Sequence, residues 1–191
     1  MYVNEVSLVG TIDTVEETYY SYAEWFSKVF INVQRTSGIY DTIPVVISHS
    51  FFNANKAIGE KVKLLGEIRR AQSYYVFAKA AMLVSESISD QNNVELIGKI
   101  TRLSTIRETP LTNRTIMDFT VSCYDRKGAS CRIPCIAWER KAWYVQNYLD
   151  VGDVIEVSGR LQSRLYLKRY ENGNEEQKVT YEVSINRIQL I

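Results

Sequence analysis

Residues 6–12 read Val6-Ser7-Leu8-Val9-Gly10-Thr11-Ile12, and residues 94–100 read Val94-Glu95-Leu96-Ile97-Gly98-Lys99-Ile100. A second echo keeps the same order: Gly59-Glu60-Lys61-Val62-Lys63-Leu64-Leu65-Gly66-Glu67-Ile68 against Gly152-Asp153-Val154-Ile155-Glu156-Val157-Ser158-Gly159-Arg160-Leu161. The two matches share nearly the same offset. In a chain of 191 residues, two copies of one small unit explain this better than one larger domain. Aliphatic residues recur at alternate positions, which is the period of a half-buried strand. The pattern predicts an all-β chain of two units: residues 1–84, a polar serine-rich linker over 85–92, and residues 93–191.

Composition narrows the class. Apolar residues make up 46% of the chain, enough for packed cores and too many for a disordered one. No run approaches the roughly 20 apolar residues of a membrane helix, and no leader pattern is visible, so a cytoplasmic protein is expected. Cys123, Cys131 and Cys135 all lie in the second unit. Their spacing suits neither a zinc site nor a redox pair, and His49 is the only histidine, so they read as small strand residues. Metals and cofactors are not expected. With no glycine-rich phosphate loop, nucleophile constellation or carboxylate cluster, neither is an enzyme. The net charge of +1 hides a skew: residues 1–92 carry 8 basic and 10 acidic residues, and residues 93–191 carry 15 and 12.

In the second unit, strands are predicted from near Val94, Met117, Cys131, Asp153 and Val179. The segment Trp138–Leu149 is the helix candidate, with Ala142, Val145 and Leu149 on one face and Gly152 after it. Trp143, on this helix, is expected to pack. A shorter version, His49–Ile58, precedes Gly59. Five strands with a helix between the third and fourth is the order of the OB-fold, a small Greek-key barrel. The chain is thus expected to hold two tandem OB-folds. Two loops of the second unit would border its ligand face: Leu103–Arg114, which carries Arg107 and Arg114, and the hairpin signal Glu171-Asn172-Gly173-Asn174.

The fourth strand carries the chemistry. Ile155, Val157, Leu161 and Leu165 share one parity, and Arg160, Gln162, Arg164, Tyr166, Lys168 and Tyr170 share the other. Cations interleaved with aromatic rings on one face suit a flexible nucleic-acid strand, because cations meet phosphates and rings stack on unpaired bases. On the third strand, Arg132, Pro134, Ile136 and Trp138 face outward. With the third strand expected beside the fourth, Trp138 would share a surface with Tyr166.

These residues carry a family resemblance. Ile133-Pro134-Cys135-Ile136-Ala137-Trp138, then Tyr148-Leu149, then Gly152-Asp153 through Gly159 to Arg164-Leu165-Tyr166, with Tyr181-Glu182-Val183 later, resembles the bacterial single-stranded-DNA-binding proteins. The resemblance covers most of residues 93–191. It implies an OB-fold that binds single-stranded DNA by stacking and charge, with Trp138 and Tyr166 at stacking positions. Arg132 stands where that family carries another stacking residue. The family commonly assembles four OB-folds, so two per chain imply a homodimer. Its members usually end in an acidic tail that recruits other proteins. Here Ile185–Ile191 reads as a strand, and recruitment by such a tail is not expected.

The first unit matches more faintly. Ser48 aligns with Trp138 and Thr42 with Arg132. Its aromatics lie elsewhere: Tyr19, Tyr20, Tyr22 and Trp25, Phe30 on the outward parity of its strand, and Tyr74, Tyr75 and Phe77. They read equally as a second stacking surface, with Phe30 and Tyr75 as candidates, or as an interface. The expected function is coating of single-stranded DNA with little sequence preference in replication, recombination or repair. The rivals are a primosome accessory protein and an OB-fold scaffold for protein partners.

Overall fold

A computed structural model describes residues 2–110, 112–124 and 128–191. The first repeat runs through β1 (Val3–Ser21), β2 (Glu24–Gln34), β3 (Tyr40–Ser48), a single 3-10 turn (Ala54–Lys56), β4 (Lys61–Arg70) and β5 (Tyr74–Leu83). The second runs through β6 (Gln91–Leu103), the short β7 (Arg107–Glu108), β8 (Thr115–Tyr124), β9 (Ser130–Trp138), α1 (Arg140–Tyr148), β10 (Val154–Arg169) and β11 (Glu175–Leu190). Among the described residues no helix is long and apolar enough to cross a membrane.

Each repeat closes into a barrel in the same way. β1 pairs with both β2 and β4, and β6 with both β8 and β10. β3 then meets β5, and β9 meets β11, as short parallel pairs. This is the all-β OB-fold order, present twice. It corrects one expectation: β9 does not lie beside β10, because β11 runs between them. The Greek key brings its last strand back into that gap. The last strand also starts earlier than expected, at Glu175, because the turn around Gly173 (φ 81°) reverses the chain at once.

The matched glycines of the repeat serve the closure. A Cβ on Gly10 would sit 2.5 Å from the Asn32 carbonyl oxygen, and one on Gly98 would sit 2.5 Å from that of Ser122. At these points the first strand curls across its neighbour's backbone, and only a bare Cα fits. Two asparagines at matching positions complete the ladders. Asn4 donates to the Ile68 carbonyl at 2.8 Å and accepts from its N–H at 2.9 Å. Asn92 treats Leu161 identically, at 2.7 and 2.9 Å. Each side chain satisfies backbone groups just past a β-bulge at Gly66 or Gly159.

The barrels are joined edge to edge. β1 and β6 pair antiparallel from Val3 opposite Ile97 to Val9 opposite Gln91. Val6 faces Val94, so the two copies of the opening motif meet across a local two-fold. Eleven strands therefore form one sheet among the described residues. One cluster of buried apolar side chains runs through both halves, from Leu8, Ile31 and Leu64 to Leu96, Phe119 and Val157. The segment between β5 and β6 is tied down. Asp90 accepts from the Gln34 N–H at 2.7 Å and pairs with Lys61 at 2.7 Å.

Helix α1 packs Ala142 and Val145 inward, and Leu149 follows them into the core. Trp143 does not pack as expected: its side chain is exposed, because it projects about 100° around the helix from Ala142. Cys123 and Cys135 are buried and Cys131 is half-buried, and burial pushes the Cys123 thiol up to about 12. The glycine contacts set an unusual sign. Glycine to alanine inside a strand ordinarily gains stability, but Gly98→Ala should lose about 1–3 kcal/mol by overpacking against β8. Urea denaturation checks this, and an unchanged or raised midpoint would refute the close-approach role.

Candidate nucleic-acid interface

The outer face of the second barrel is built by β8, β9, β10 and β11. Inward positions such as Met117, Ile133, Cys135, Val157 and Val183 fill the core, so the alternate positions face out. Trp138 ends β9 opposite Ile116 and is half-buried. Its indole N–H donates to the Ser184 hydroxyl at 3.1 Å, which fixes the ring over β11. The Arg114 guanidinium lies 4.7 Å from the ring centre, on the loop before β8. Around them opens a cleft of about 550 Å³ lined also by Arg35, Arg107, Arg160 and Arg164.

Most of these cations are held by an acid. Arg107 pairs with Asp118 at 2.6 Å and Arg114 with Glu139 at 3.1 Å. Arg164 reaches Glu182 at 3.5 Å and Asp118 at 3.9 Å. The pairs of Arg107 with Asp118 and Arg114 with Glu139 are exposed or half-exposed and weak, so phosphates can compete for those cations. Gln162, on the expected face, is buried and donates to Glu182 at 3.0 Å. Burial raises the Glu182 carboxyl above its ordinary range, although Arg164 and Gln162 pull it down. Arg160 donates to Gln162 at 3.1 Å, while its buried Nε has no hydrogen-bond partner among the described residues. Burial, and next the charge of Arg35, lower the Arg160 pKa.

The remaining second-repeat candidates are spread out. Tyr166, Lys168 and Tyr170 sit on the β10–β11 arm, which extends past the barrel, and Lys168 lies 4.8 Å from the Tyr170 ring centre. Tyr166 does not line the Trp138 cleft, although Arg160 and Arg164 of the same strand do: it pairs with Lys178 out on the arm, whereas Trp138 lies by Ser184, so the two rings do not meet as expected. Leu165 keeps the core parity yet is exposed, because the arm has no barrel beneath it. Arg132 is exposed near the opposite end of β9 from Trp138, in a second cleft with Arg70, Arg102 and Tyr74. A smaller groove holding Arg102, Pro134 and Arg164 lies between the two clefts and shares residues with both.

In the first repeat the outward aromatics gather differently. Tyr19 stacks on Phe26 at 5.7 Å, Phe26 meets Phe77 at 6.1 Å, and Arg69 lies 3.8 Å over Phe77. Tyr75 lies beside Tyr19, and both are half-buried. Phe30 is four residues further along β2, opposite Pro44. Ser48, the counterpart of Trp138, accepts from the Ser50 N–H at 2.9 Å and bonds Glu24. Reading the sequence passed over Arg35, Arg70 and Arg102. No linear signal marks them, since two lie in the net-acidic repeat and reach the clefts only through packing.

Comparison with known proteins agrees with this architecture. The model of the Single-strand binding protein family matches residues 91–191. A single-stranded DNA-binding protein of Clostridium tetani is 32% identical over 80 residues, covering 39% of this chain and 55% of that protein. Single-stranded DNA-binding protein A of Bacillus subtilis is 32% identical over 110 residues, covering 52% and 59%. The chain thus spans less than two thirds of the length of these curated relatives. The single-stranded DNA binding protein of Thermus aquaticus superposes over the whole chain and 93% of its own, with a TM-score of 0.72 at 17% identity, a likeness of fold. With just over half of its length matched by that family model, the chain belongs to the single-strand binding protein family.

Proposed function

We propose that this chain binds single-stranded DNA with little sequence preference, as a non-enzymatic coating protein, mainly on the second barrel. The observation that carries this is the Trp138 ring, flanked by Arg114 and set in a cleft of further arginines on an OB-fold face. A ring stacks on any base, and the guanidinium groups meet phosphates whatever the sequence. Residues 1–84 and 93–191 act as two fused OB units. Arg107, Arg114, Arg160 and Arg164 serve the cleft, Arg132 the second cleft, and Tyr166, Lys168 and Tyr170 the arm. Phe30 and Tyr75 add a weaker surface on the first barrel.

Two chains pair as a homodimer of four OB-folds. Leu65 stands exposed on β4, beside β1 of the seam, and Met82 on β5, one strand further out, which supports that contact. A protein-partner reading has its own observation: the β1–β2 hairpin tip holds Tyr20 and Trp25 in contact at 5.3 Å and presents Tyr22 92% exposed. The acidic Glu16, Glu17 and Glu24 nearby are poor company for phosphates.

Fluorescence titration with oligo-dT tests the main reading. Wild type should bind, with affinity falling steeply as salt rises. Trp138→Ala should cost about 1–3 kcal/mol of binding and Tyr166→Ala less than that, with the thermal midpoint unchanged. Wild-type affinity in Trp138→Ala would refute the cleft assignment. Light scattering should give twice the mass of one chain, and a monomer would refute the pairing.

Glu182 sets a pH dependence. Its carboxyl is raised in the folded chain, so folding is penalised wherever pH exceeds that raised value, by about 1.4 kcal/mol for each tenfold weakening of the acid. Glu182→Gln should therefore stabilise the protein at pH 7. The gain should shrink as pH falls through the raised pKa and vanish below the ordinary carboxylate range. Urea titrations at pH 7 and pH 4 measure the difference, and a loss of stability at pH 7 would show that the pair with Arg164 dominates.

A further inference from the structure

The second barrel's outer face is bordered at both ends by arginines of the first repeat. At the Trp138 end stands Arg35, on the β2–β3 turn, where Gly38 (φ 83°) and the bond from the Arg35 N–H to the Ile39 carbonyl at 2.7 Å close the hairpin. Arg35 uses Nε and Nη2 on the buried Asp41, which orients the guanidinium into the cleft. It faces Arg160, a second guanidinium whose buried Nε is unpartnered among the described residues. Asp41 offsets part of the repulsion between these two guanidinium groups, and a further anion in the cleft would offset the rest.

At the other end stands Arg70, the last residue of β4 before the β4–β5 turn. It lines the second cleft with Arg102 and Arg132 and lies 5.4 Å from the Tyr74 ring centre. The Tyr74 hydroxyl donates to the Arg132 carbonyl at 2.8 Å, pinning this turn of the first barrel onto β9 of the second. The groove of Arg102, Pro134 and Arg164 connects the two ends. The line of clefts thus starts and finishes on first-repeat cations, although that repeat is acidic as a whole.

We propose that Arg35 and Arg70 each take a backbone phosphate of the strand bound on the second barrel, so that both repeats build one binding face. This rests on the single-stranded-DNA reading above. The second barrel supplies the stacking ring and the middle of the track, and the first repeat supplies its two ends.

The experiment is a salt series of oligo-dT titrations on full-length Arg35→Gln, Arg70→Gln, the double variant and Lys56→Gln. Lys56 is an exposed first-repeat lysine away from the clefts and controls for net charge. Each arginine variant should reduce the magnitude of the log-affinity against log-salt slope by roughly 0.7, and the double variant by about twice that. Lys56→Gln should keep the wild-type slope. Arginine variants with the wild-type slope overturn the inference while wild-type binding stands. A fall equal to that of Lys56→Gln reduces the effect to net charge and overturns it too. Arg35→Gln also removes the partner of Asp41, so its thermal midpoint is read alongside. If Arg35→Gln is unfolded, the slope of Arg70→Gln decides, since that variant breaks no ion pair among the described residues. Absence of wild-type binding at low salt overturns the function itself, and the inference with it.

Discussion

The pairing of β1 with β6 is the constraint on which the rest depends. Seven residue pairs, centred on Val6 opposite Val94, turn two barrels into one sheet. An OB-fold's first strand already serves two neighbours within its own barrel. Here part of its length serves a third, which consumes an edge that would otherwise be exposed. The same pairing fixes the angle between the barrels. It therefore lays the β2–β3 turn and the β4–β5 turn of one repeat against the β10 and β9 strands of the other.

The repeats share a scaffold and differ in charge at matched positions. Gly66 and Gly159 occupy equivalent bulges, and the next residue is Glu67 in one repeat and Arg160 in the other. Glu67 is buried; burial raises its carboxyl, but Lys79 and Arg69 outweigh that and hold it below its ordinary value. In that first-barrel triad the carboxylate is paired from within. At the second barrel's position a guanidinium lines the cleft while its buried Nε is unpartnered among the described residues. The geometry that folds the chain is duplicated, while most of the cations proposed to meet a polyanion stand on one copy.

Ion pairs across the cleft explain how so many arginines coexist without a ligand. Asp118, Glu139 and Glu182 each restrain one or two of them. The restraint costs little to break at the half-exposed Asp118 and Glu139, so Arg107 and Arg114 stay ordered yet available. Trp138 is ordered by different means, through its hydrogen bond to Ser184. Ring and cations are thereby held in place within the folded chain, which under the proposed function limits the entropy lost on binding.

The sequence by itself determined the tandem barrels. Period-2 aliphatics and matched glycines report strand burial and close backbone approach, which are local demands that survive in linear order. Trp138 and the arginines of β10 were legible for the same reason, since strand parity assigns their face. Only the tertiary structure decided what lies beside what. The Greek key inserted β11 between β9 and β10, the register of those strands set Tyr166 out on the arm away from Trp138, and the helix phase turned Trp143 outward. The placement of Arg35 and Arg70 at the clefts depends on the β1–β6 pairing between segments about ninety positions apart. No pattern of neighbours along the chain encodes that angle, because it is set by how two finished barrels share an edge.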